Sequence, residues 1–67
     1  MSDFETTAAK IRDEYKRLNK AAELTKDIQK RHTLQTAAKA QAYRMKLLLS
    51  QYGIKATTNE LFNKYLK

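Results

Sequence analysis

At 67 residues the chain has room for one domain, residues 1–67, with a core so small that such scaffolds often need a staple, a metal or a partner chain. It has no cysteine, which removes disulfides and thiolate metal sites and fits a reducing interior such as the cytoplasm. Fourteen Lys and Arg against seven Asp and Glu give a formal charge of +7, which favours polyanionic partners: nucleic acid, an acidic protein face or an anionic membrane.

The absence of proline, a single glycine and abundant Ala, Lys, Leu and Gln predict an all-α protein. Ser2-Asp3-Phe4-Glu5 reads as a capping box opening the first helix. Phe4, Ala8, Ile11, Tyr15, Leu18 and Ala22 follow at spacings of four and three, which places them on one stripe. Ala21, Leu24 and Ile28 carry that stripe around the helix, and no heptad survives beyond Ala22, which disfavours a long coiled coil.

The next apolar set is Leu34, Ala37, Ala38, Ala42, Met45, Leu48, Leu49 and Tyr52. Ile28 and Leu34 lie about 240° apart on an ideal helix, so one straight rod would split the two sets. A turn near Lys30-Arg31-His32-Thr33, with Thr33 as N-cap, restores a shared core. The rival is one bent helix from Asp3 to Tyr52; the hairpin is preferred.

Gly53 suits the left-handed position that ends a helix, with Ile54 folding back on the preceding turn. Thr57-Thr58-Asn59-Glu60 repeats the capping-box pattern, and Leu61, Phe62, Tyr65 and Leu66 form the apolar face of a short last helix. The expected architecture is therefore a long helix hairpin plus a short C-terminal helix. A first helix of about 42 Å against a second of about 28 Å leaves Phe4, Ala8 and Ile11 uncovered. Either Leu61, Phe62 and Tyr65 cover them, or a second subunit does so in a homodimer.

Catalysis and cofactors are not expected. His32 is the only histidine and sits among cations, and there is no glycine-rich phosphate loop. The longest strictly apolar run, Leu47-Leu48-Leu49, is far too short to span a bilayer, and Asp3 and Glu5 interrupt any signal-peptide core.

Charge is unevenly distributed. No acid occurs between Asp27 and Glu60, while Lys30, Arg31, Lys39, Arg44, Lys46 and Lys55 fall in that interval. Lys39, Tyr43 and Lys46 share one helical strip, where lysines meet phosphate oxygens and a tyrosine hydrogen-bonds or stacks on an unpaired base. The candidate nucleic-acid-binding set is Lys30, Arg31, Lys39, Tyr43, Arg44, Lys46 and Lys55. Ala40, Tyr43 and Leu47 form a second apolar strip, to be covered by the last helix or used to dock on a protein.

The stretch LLLSQYGIKATTNELF, residues 47–62, resembles a DNA-reading helix-turn-helix in its glycine turn and its polar second helix. The second helix is short and lacks arginine, so a plain packing corner explains the same residues with fewer demands. The reading that follows is a small basic protein that binds nucleic acid, DNA in the first instance, without catalysis. The rival is an interaction module or inhibitor that docks on an acidic partner protein.

Overall fold

The computed structural model describes residues 3–67, so the Ser2 half of the first capping box lies outside the described residues. Helix α1 spans Asp3–Leu24 and α2 spans Ile28–Gln51; α3, Thr58–Glu60, runs directly into a π turn over Leu61–Tyr65. The protein is thus all-α: two long helices in a hairpin, with a short helical segment folded back across them.

The hairpin is as expected, but its turn comes earlier than residues 30–33. Thr25, Lys26 and Asp27 make it, and the N-cap of α2 is Asp27. Its Oδ1 accepts hydrogen bonds from the backbone N–H of Gln29 (2.9 Å) and Lys30 (3.3 Å), satisfying donors that a helix start leaves open. Thr33 is no cap; it lies inside α2, and its hydroxyl donates to the carbonyl of Gln29 at 3.0 Å. On the other side of the turn Arg31 Nη2 donates to the carbonyl of Thr25 at 2.9 Å, tying down the end of α1.

Moving the turn changes which residues are core. Leu24 and Ile28, read as a continuing stripe, stand at the hairpin tip and are 74% and 80% exposed. The helices also come out nearly equal, about 33 and 36 Å, so the overhang inferred from unequal lengths does not exist. Replacing Asp27 by Ala should destabilise the fold by about 1 kcal/mol and lower its melting temperature by roughly 4–8 °C. An unchanged melt would mean that Asp27 does not anchor the turn.

The two stripes meet as their spacing demands. Ile11, Ala42, Met45 and Leu49 form the main cluster with Leu61 and Leu66 from the C-terminal segment. Towards the hairpin tip Leu18, Ala22 and Ala38 are buried as well, and the two alanines let the helices approach closely there. Phe4 is covered by the end of α2, its ring edge-on to Tyr52 at 5.0 Å between centroids. The molecule measures 39 × 24 × 16 Å, so its core is a single layer between hairpin and C-terminal segment.

Gly53 ends α2 as the sequence requires. Its φ is +71°, its N–H donates to Ser50 O at 3.0 Å, and the N–H of Ile54 donates to Leu49 O at 2.9 Å. This paired closure satisfies the Leu49 and Ser50 carbonyls at the helix end and lays Ile54 against the core. A β-carbon at position 53 would meet nothing within 4 Å, so Gly53→Ala should cost about 1 kcal/mol through backbone strain alone. Gly53→Asn should cost less, and urea midpoints compare the two; equal stability of all three proteins would contradict the strain.

The second capping box forms as read. Thr57 Oγ1 accepts from Glu60 N–H at 3.2 Å, and Glu60 Oε1 accepts from Thr57 N–H at 3.3 Å. Beyond it the chain departs from a plain α-helix. The N–H of Leu66 donates to Leu61 O at 2.9 Å, a five-residue closure. That wider turn brings Leu61 and Leu66 to the same side, and both are buried; an α-helix would set them about 140° apart. Phe62 is 42% exposed and is not the core residue its spacing suggests.

Candidate nucleic-acid interface

The basic residues of α2 are sorted by their angle to α1. Met45 is fully buried against the hairpin core and sets the zero of that angle. At about 100° per residue, Lys46 and Lys39 lie about 100–120° round from it and Tyr43 about 160°. Ala40 and Leu47 follow on the outermost line, about 200–220° round, while Arg44 and Lys30 fall on the opposite flank near 260° and 300°. Arg31 points back towards α1, where it holds the Thr25 carbonyl.

The seven candidate residues are therefore not one patch. Lys39, Tyr43 and Lys46 share a strip, and all three are exposed. Lys55 joins them through the chain reversal at Gly53, because it and Lys46 line the same groove. That groove, about 270 Å³, lies between the end of α2 and the C-terminal segment, with Leu49, Ile54 and Leu61 in its walls and Ser50 and Thr58 beside the lysines. Lys30, Arg31 and Arg44 lie elsewhere, and Arg44 Nη1 contacts Gln41 Oε1 at 3.5 Å.

Ring placement adds a residue whose spacing predicts a place in the core. Phe62 lines a shallow hollow with Tyr15, Gln35, Ala38 and Lys39, its ring 6.1 Å from that of Tyr15. The basic strip is thus edged by two outward rings, Tyr43 at 61% exposure and Phe62. Ala40 and Leu47 are exposed as well, so the C-terminal segment does not cover the second apolar strip.

The electrostatics differ between the two long helices. On α1, Arg12 pairs with Asp13 at 3.8 Å, and Arg17 grips both carboxylate oxygens of Glu14. The bond from Arg17 holds the Glu14 carboxyl below its ordinary range and raises the guanidinium in turn. Any stabilisation from this exposed pair is present above the ordinary carboxylate range and is lost as the pH falls through the lowered value. No cation of α2 or Lys55 pairs with a carboxylate of a described residue. Their charge is therefore not neutralised by any carboxylate of a described residue.

Other chemistries find little here. Among the described residues no three His, Cys, Asp or Glu side chains gather in a way that could hold a metal ion, and His32 stands exposed on α2. No helix is long and apolar enough among them to cross a membrane. The helix-turn-helix resemblance fades in three dimensions, since α3 has three residues before the π turn. Its N-terminus, where a recognition helix would meet phosphate, is closed by the Glu60 carboxylate. No protein-family model, curated protein or solved structure matches this chain.

Proposed function

We propose that this chain is a non-catalytic nucleic-acid-binding protein of the cytoplasm, acting on DNA in the first instance. Its phosphate-contacting face is Lys39, Tyr43 and Lys46 of α2 with Lys55 of the following loop. One observation carries the reading: from Ile28 to Lys55 the chain bears six Lys and Arg, no acid, and no ion pair to a carboxylate of the described residues. Unpaired ammonium groups on a rigid rod release counterions when they meet a polyanion, which is the main source of sequence-independent affinity. Three lysines on phosphates predict that log K falls with log salt at a slope of about −2 to −3. A gel-shift titration across salt tests this directly, and binding that is absent at low salt, or indifferent to salt, ends the proposal.

A second reading is supported by the exposure of Ala40, Tyr43 and Leu47 in the middle of α2. A rod with an apolar line flanked by cations also suits an acidic partner protein, with Tyr43 and Leu47 as anchors. Two copies packed through this strip would bring Lys39, Lys46 and Arg44 together with no acid between them, so a foreign acidic partner fits it better than a homodimer. Leu47→Asp separates the readings: it should disrupt a protein complex while leaving the lysine contacts to phosphate largely intact.

A further inference from the structure

We propose that the Lys39–Lys55 surface takes single-stranded rather than duplex nucleic acid, with one unstacked base seated in the groove between Lys46 and Lys55. This rests on the nucleic-acid reading above and names its substrate class.

Three features of the surface have no use on a duplex. The first is the groove itself, whose walls of Leu49, Ile54 and Leu61 are apolar while two lysines and the hydroxyls of Ser50 and Thr58 stand around them. At about 270 Å³ it is slightly smaller than the usual site for a drug-sized ligand, and it suits a flat heterocycle with polar edges. In a duplex the bases are stacked and paired, and reaching a pocket would require unpairing one. A single strand offers its bases already free.

The second feature is the pair of outward rings. Tyr43 lies one helical turn beyond Lys39, and Phe62 lines a hollow with that same lysine. Alternating cations and aromatic faces is how sequence-tolerant single-strand binders work: the charges follow the backbone and the rings stack on successive bases. Phosphates alone would gain nothing from Phe62, whose ring is left part-exposed beside Lys39.

The third is the absence of a reading element for the major groove. The last helix presents a carboxylate at its N-terminus, and the outermost line of α2 carries Ala40 and Leu47 where a groove-bound helix would need polar contacts. The lysines, the rings and the groove lie on the flank of the rod facing the C-terminal segment. An extended strand laid along that flank passes Phe62 and Lys39, then Tyr43 and Lys46, and ends at the groove.

The test is fluorescence anisotropy with a labelled oligonucleotide of about 12 nucleotides, within the usual site size, offered at fixed salt as single-stranded DNA, as RNA of the same sequence and as the DNA duplex. At least one single strand should bind about tenfold or more tightly than the duplex. Phe62→Ala should weaken single-strand binding at least about fivefold and leave duplex binding unchanged, while Tyr43→Ala, which also removes a phosphate contact, should weaken single-strand binding at least about fivefold more than duplex binding. Ser50→Leu, which places a branched chain at the groove on an exposed helical position, should act as Phe62→Ala does, and Ser50→Ala should have a smaller effect. Duplex binding as tight as that of the tighter single strand overturns the inference while leaving the nucleic-acid reading in place. So do Phe62 and Tyr43 variants that weaken all three ligands equally. Failure to bind any of the three overturns both.

Discussion

Replacing Lys39 and Lys46 together by glutamate is expected to lower nucleic-acid affinity by at least about a hundredfold at 50 mM salt. Each phosphate contact supplies roughly tenfold at that ionic strength through counterion release, and reversal adds repulsion to the loss of two contacts. The salt slope of whatever binding remains should fall by about 2, since two neutralised phosphates are no longer involved. The control is Lys10→Glu with Lys20→Glu on α1, which makes the same change in net charge on exposed positions of the other helix. Anisotropy titrations at several salt concentrations read both numbers. If the two double variants weaken binding equally, the total charge is responsible and the α2 strip has no special role.

The second large effect is on stability. Met45→Ala should destabilise the protein by about 2–5 kcal/mol, through lost burial and the cavity left behind. A domain of this size has roughly 3–10 kcal/mol in all, so the variant should melt at least about 10 °C lower or fail to fold. Met45 has no exposed surface, and Ile11, Leu49, Leu61 and Leu66 share its cluster, so few neighbours are free to collapse into the gap. Met45→Leu, close in volume, should cost under about 1.5 kcal/mol. Thermal denaturation followed by circular dichroism compares them. An alanine variant that melts within a few degrees of the parent would show that α2 turns another face to the core. The positions of Lys39, Tyr43 and Lys46 would then be wrong as well, because Met45 sets their angle.

The amphipathic stripes and the helix ends were legible where a local rule has one solution. Gly53 with Ile54 could close α2 in one way, since the backbone there needs positive φ and the following apolar side chain must fold back. Thr57 and Glu60 needed only each other. The first turn comes earlier than residues 30–33 because Asp27 caps α2, whereas the expected turn rests on counting Ile28 in the stripe of the first helix. Periodicity marks that residue as apolar, but it does not say whether a partner helix stands opposite, and none does.

By itself, then, the order of residues determined the helical class, the two long stripes, the glycine stop, the second capping box and the acid-free run of cations. These depend on neighbours within a turn or two of chain. Tertiary packing decided the rest: where the hairpin turns, that a π closure buries Leu66 with Leu61 while Phe62 stays part-exposed, and that Lys55 shares a groove with Lys46. It also separated Lys30, Arg31 and Arg44 from the strip. The reason is geometric, for a charge or a ring acquires a direction only when the helix carrying it is rotated against its neighbour, and that rotation is set by which apolar side chains from distant parts of the chain interlock.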